Sequence, residues 1–241
     1  MAGQGDARTD NEQAMPRLEV APLNTTPSFR NLAYQALKQA ITRMDIYGRR
    51  GEIRLDERQL SQDLGVSRTP IREAMSLLEQ EGFVRTVPRR GVFVVRKTKR
   101  EIIEMIYAWA ALESMAARLG TQRASDEEIA ALRRLFTSFE SSHPKEHMHE
   151  YSEANIAFHQ AIIRLSGCKL IEDMTKNLFI HMRAIRQATI GQDDRADRSM
   201  MDHLNIIEAL ERRQTERAER LVREHTLGLA DHVERYCTYL D

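Results

Sequence analysis

Residues 55–95 read LDERQLSQDLGVSRTPIREAMSLLEQEGFVRTVPRRGVFVV, and the spacing of a few side chains dictates their local structure. Asp56 is placed to cap a short helix over 56–64 that buries Leu60 and Leu64. Gly65 stops it, because glycine enters a left-handed turn at least cost. In the second helix, Ser67 or Thr69 can cap the start and Pro70 fits the first turn, where its missing N–H costs nothing. Ile71, Ala74, Met75 and Leu78 make the buried stripe, and Gly82 ends the helix. Next, residues 83–87 and 91–95 are β-branched or aromatic runs separated by Pro88, Arg89 and Arg90, a two-stranded hairpin with a basic tip. Upstream, Leu32, Ala36, Leu37, Ala40, Ile41 and Met44 space out an amphipathic helix that ends near Tyr47 and Gly48. Three helices and a hairpin make a winged helix-turn-helix over residues 28–96.

Residues 1–27 carry little periodic apolar content and are expected to form a flexible leader. After a linker at 97–100, helical periodicity dominates residues 101–241, with breaks near 120–125, 141–148, 167, 191–195 and 213–215. About six helices result, an all-α antiparallel bundle sized to enclose a cavity. The fold class is therefore mainly α.

The 241 residues carry 36 Lys and Arg against 36 Asp and Glu, a formal net charge of zero that hides a division. Residues 28–100 hold 16 basic and 8 acidic side chains, whereas residues 101–241 hold 18 and 24. A basic front and an acidic back imply different partners. Cys168 and Cys237 are the only cysteines and form no CxxC, which excludes a disulfide framework and a thiolate metal cage. The longest apolar run, residues 105–112, falls far short of the roughly 18 residues a membrane helix needs. A soluble, cytoplasmic protein with no membrane partner is expected.

A short turn between two crossing helices leaves the second free to enter a DNA major groove. Arg68, Thr69 and Arg72 sit at its N-terminal end, where side chains reach base edges and an arginine fork can pair two guanine acceptors. Arg58, Arg89 and Arg90 then meet phosphates or the neighbouring minor groove.

Residues 55–95, and nearly all of 30–96, resemble the winged helix-turn-helix of GntR-family bacterial transcription regulators. The helical remainder resembles the FCD-type effector domain of that family's FadR subfamily. The resemblance implies a homodimer on an inverted-repeat double-stranded operator, with a small-molecule effector in the helical domain altering DNA affinity. Repression is the family's commoner output. By the same resemblance Arg58, Arg68 and Arg72 match DNA-contacting arginines, Thr69 matches a contacting polar position, and Arg89, Arg90 and Gly91 match the wing.

Eight histidines occur, all in the back half. Asn155 and His159 lie one turn apart, and His203 and His225 each share an apolar stripe, so these side chains project inward. Periodicity leaves His232 and His181 equally open, while His143, His147 and His149 fall in a loop. The resemblance chooses Asn155, His159, His203 and His225 as ligands of a divalent ion, zinc by expectation with nickel as an alternative. Asn155 stands where the family usually places Asp, which removes one negative charge from the site. Trp109 stands where many relatives place an arginine, removing a fixed carboxylate clamp. Trp109, Arg183 and Arg186 are the candidate effector-pocket residues, an organic acid being the expected ligand class.

Two rival functions remain at this level. Three imidazoles with an open coordination position could activate water in a metal-dependent hydrolase, although the chain has no GxSxG, Walker or HExxH motif. Alternatively, the protein is purely architectural, with a back half that only dimerises.

Overall fold

The first helix, α1 (Phe29–Arg43), starts where the Ser28 side chain accepts from the Asn31 N–H, and it buries Ala33, Leu37 and Ile41. In this computed structural model residues 28–48, 51–139 and 143–240 are described; the leader expected over residues 1–27 lies outside them. α1 ends earlier than its apolar spacing suggests. Ile46 and Tyr47 nevertheless lie fully buried in the irregular segment that follows, so their hydrophobicity serves a loop instead of a helix.

Asp56 caps α2 (Glu57–Asp63) as expected, accepting the N–H of Arg58 at 2.8 Å and of Gln59 at 3.0 Å. The burial expected of this helix is corrected: Leu60 is only half-buried and Leu64 is exposed, because seven residues give too short a stripe to cover both. Gly65 makes the turn at φ +64°, and α3 (Arg68–Gln80) follows. Ser67 occupies the cap position without a side-chain bond. The wing is β2 (Val84–Val87) and β3 (Gly91–Val94), and β3 also pairs with β1 (Arg54–Leu55), giving an antiparallel sheet of order β1-β3-β2. The third strand was not legible as two residues carry no period.

The back half begins with α4 (Lys99–Arg123), fixed by a capping box between Thr98 and Glu101, and α5 (Asp126–Arg134), fixed by another between Ser125 and Glu128. Then come α6 (Met148–Leu165), α7 (Lys169–Thr189), α8 (Arg195–Glu211) and α9 (Thr215–Tyr236). α4 packs most extensively on α9, and α6, α7 and α8 complete the bundle around it. α1 touches α7. At that junction the Tyr47 hydroxyl and His181 Nδ1 form a buried hydrogen bond of 2.7 Å, linking the front of the chain to the bundle.

Candidate functional site

Burial of Ile71, Ala74, Met75 and Leu78 determines which side of α3 faces outward, and Arg68, Thr69 and Arg72 are on it. Arg72 is oriented by a carboxylate: its Nε donates to Glu57 Oε2 at 2.7 Å across the α2–α3 turn. In the wing, Arg90 donates to Glu52 at 2.5 Å, and Arg85 binds the same carboxylate. Both guanidinium groups also lie over the Phe93 ring, at 5.3 and 5.5 Å. Arg89 holds the tip with φ +64°. Gly91 next to it has φ +111°, a conformation that favours glycine, and a Cβ there would sit 3.1 Å from Arg54 Nε, so the Arg54 side chain would have to shift. Arg58, Arg68 and Arg89 are exposed, with no side-chain partner among the described residues. The outcome is a row of arginines on α2, α3 and the wing. Three of them, Arg72, Arg85 and Arg90, are pre-positioned by carboxylates, and Arg58, Arg68 and Arg89 are free to meet an anion.

Inside the bundle, α6, α8 and α9 turn His159, His203 and His225 into one space, with one ring nitrogen from each within 4.8 Å of the others. His203 Nε2 and His225 Nε2 are 3.2 Å apart. Two nitrogens bound to one ion at about 2.0–2.1 Å would be separated by roughly 3 Å, so this spacing fits a shared ion. The outer nitrogens of two rings meet carboxylates: His159 Nδ1 lies 2.5 Å from Glu113 Oε1, and His225 Nδ1 lies 2.9 Å from Asp202 Oδ2. Such contacts fix a metal-binding imidazole with its free nitrogen aimed inward. His159 Nε2 and Asn155 Oδ1 are both buried without a hydrogen-bond partner. A buried orphan of this kind is costly unless something fills the place. Desolvation holds the His159 and His203 imidazoles well below the usual histidine range, so both are neutral at pH 7, the form a cation requires. The donor set therefore fits a divalent ion held by imidazole and one neutral amide oxygen.

Glu113 is the residue that sequence reasoning missed. It is fully buried on α4, accepts from Thr226 Oγ1 at 2.7 Å, and lies 4.0 Å from Arg186 Nη2. Desolvation pushes its carboxyl up, opposed by the Arg186 guanidinium. The signal was present: Glu113 continues the inward stripe Ile106, Trp109 and Ala110, where a charged side chain is out of place unless paired.

The three candidate effector residues come together beside this cluster. Trp109 is buried with its ring 6.3 Å from that of Phe179. Arg186 is buried, and desolvation pulls its pKa down to about 10. Arg183 is half-buried and donates to Glu153 at 2.7 Å. With His159, Ile156, Phe179 and Met182 they line a cavity of about 10 Å³, room for one water at most. The histidines left open by periodicity go elsewhere: His181 to Tyr47, and His232 to Gln192 at 2.7 Å. The loop expected around the other three is corrected: His143 is exposed near Asp197, His147 ends a 3-10 turn over Pro144–His147, and His149 lies in the first turn of α6. Among the described residues none of them joins a metal-binding group.

With this geometry in view, comparisons with known proteins place the chain. The pattern of bacterial regulatory proteins of the gntR family matches residues 30–94, and that of the FCD domain matches residues 104–228. The chain belongs to the GntR family of bacterial regulatory proteins. It is 30% identical over 176 residues to the HTH-type transcriptional repressor GlaR of Escherichia coli (strain K12), covering 68% of this chain and 77% of that one. It is 28% identical to YdhC of Bacillus subtilis (strain 168), an uncharacterised HTH-type transcriptional regulator, over 75% of this chain and 81% of that one. The structure of E. coli McbR/YncC superposes with a TM-score of 0.71 at 21% identity, covering 88% of this chain and all of that one, a likeness of fold. This GntR-family chain is thus a DNA-binding transcriptional regulator with an FCD ligand-binding domain. Its named relatives are regulators and not enzymes, which removes the hydrolase alternative. No helix among the described residues is long and apolar enough to cross a membrane.

Proposed function

We propose that this GntR-family regulator is a cytoplasmic homodimeric repressor that binds an inverted-repeat operator and responds to a small organic acid beside a divalent ion, most simply zinc. Asn155, His159, His203 and His225 hold the ion, and Trp109, Arg183 and Arg186 border the effector, which enters only when the space of about 10 Å³ between them opens. Arg68, Thr69 and Arg72 meet base edges. Arg58, Arg89 and Arg90 meet the sugar-phosphate backbone, with Gly91 shaping the wing. The boundaries 28–96 and 101–241 divide these tasks, and of the expected link 97–100, Lys99 and Arg100 already form the first turn of α4.

The observation that carries this reading is the pairing, on one chain, of an outward arginine row with a buried three-histidine cluster in which His159 Nε2 and Asn155 Oδ1 have no hydrogen-bond partner. Bound metal supplies a fixed positive charge that attracts a carboxylate. Arg186 stands ready to meet the same anion, with Glu113 as its present counter-ion. Repression is supported by the printed names of GlaR and of RspR, both E. coli repressors. Dimerisation is supported by an exposed stripe on α4 containing Tyr107, Ala111 and Met115. Ligand action is a population shift: occupancy favours one arrangement of the bundle, and the junction at Tyr47 and His181 passes it to the DNA-reading half.

The test is a gel-shift titration on a duplex selected from a random pool by the protein itself, with and without zinc and the compound that co-purifies with it. A changed operator affinity at saturating compound is expected. Unchanged affinity would leave an architectural DNA-binding protein instead.

A further inference from the structure

A second, larger cavity of about 370 Å³ lies between the winged helix and the bundle, within the size range of small-molecule sites and at a domain junction, where such sites concentrate. Its walls come from both halves of the chain. Phe83 and the α1 residues Lys38 and Thr42 form one side, and Trp109, Ile163, Phe179 and Ile180 form the other. Three aromatic rings thus surround a mostly apolar space. Of the cations at its edge, Lys38 is bound to Glu81 and Tyr34, and Lys176 to Asp173 at 2.5 Å. Arg164 is exposed and has no side-chain partner among the described residues. Glu172 is the one carboxylate on the lining.

We infer that this junction cavity binds an aryl carboxylate, its ring among Phe83, Trp109 and Phe179 and its carboxylate paired with Arg164. The inference rests on the reading of the chain as a ligand-responsive regulator, yet it concerns a site separate from the histidine cluster. Trp109 and Phe179 line both this cavity and the small one beside His159, so the two rings form a partition between them. A ring bound in the junction touches α1 and Phe83 directly and presses on that partition. It therefore has a route to the DNA-reading half that does not pass through the metal-binding side chains.

Trp109 is the only tryptophan of the chain, so its emission reports on the partition between the two cavities, and the Arg164 and chelation arms tell which of them is filled. The experiment titrates the full-length protein with 4-phenylbutyrate and, separately, with the uncharged 4-phenylbutanamide, following Trp109 fluorescence. A saturable change is expected with the acid and binding about tenfold weaker with the amide, the difference one charge-assisted pair supplies. Arg164→Gln, an exposed substitution, should weaken the acid about tenfold and leave the amide unchanged. Chelation with EDTA should leave the acid's affinity as it was. The inference is overturned by no saturable change, by equal affinity for acid and amide, or by binding that chelation abolishes and Arg164→Gln does not affect. The last result would put the acid in the inner cavity. None of these outcomes depends on whether the operator titration succeeds.

Discussion

The arginine row and the histidine cluster are built in opposite ways. Every member of the row lies between residues 58 and 91 and is exposed or nearly so, whereas the cluster collects Glu113, Asn155, His159, His203 and His225 from four helices and buries most of them. Exposed guanidinium groups such as Arg68 can wait unpaired, because water solvates them and salt screens them. Buried lone pairs such as His159 Nε2 and Asn155 Oδ1 have no such recourse. An unpaired group is therefore ordinary on the winged helix and diagnostic in the bundle.

The sharpest way to break the comparison is His203→Ala. Metal measured by mass spectrometry should fall from one ion per chain to none, while duplex binding without effector persists. Metal that stays stoichiometric would refute the ligand set. Next in size is an acid effect from the buried junction. Burial, aided by the Lys97 ammonium, pushes His181 down to about 4, against an ordinary value of 6.5. Between those values the unfolded chain takes up a proton that the folded chain does not. This part of the stability is complete above pH 6.5 and declines as pH falls toward 4, by up to about 3 kcal/mol. Denaturant titrations should show His181→Gln with a flatter pH dependence over that window, and identical slopes would contradict the assignment.

Glu113→Gln tests whether the missed carboxylate positions His159. Metal affinity by competition with a chelating dye should drop by about 10- to 100-fold, with the same ligands present. Within the exposed row, Arg72→Ala should cost about 1–3 kcal/mol of operator binding and relax base preference, by selection on randomised duplexes. The smallest effect belongs to Arg90→Ala, which should weaken all sequences alike and lower the salt slope by about 0.9. If Arg90→Ala alters base preference as strongly as Arg72→Ala, the division between base and backbone contacts fails.

Much of this was legible in the chain. The α3 stripe, the Asp56 cap, the Gly65 turn and the basic hairpin follow from short-range rules, and each recurs in the structure. The inward stripes of α6, α8 and α9 also told which histidines face the bundle. They did not distinguish His225 from His232, because two residues seven apart share a helix face and only the neighbouring helix determines which meets His203. Leu64 shows the converse: hydrophobic in sequence, it stays 37% exposed instead of joining the core.

The sequence by itself determined the helices, the turn and the outward display of Arg68 and Arg72, since these depend on dihedral preferences and on periodicity within a few residues. Tertiary structure alone decided that Glu113 backs His159, that Glu57 steers Arg72, and that Trp109 and Phe179 stand between two cavities. Those facts arise from how separate elements pack, and helical phase gives the side a residue faces without naming what it meets there.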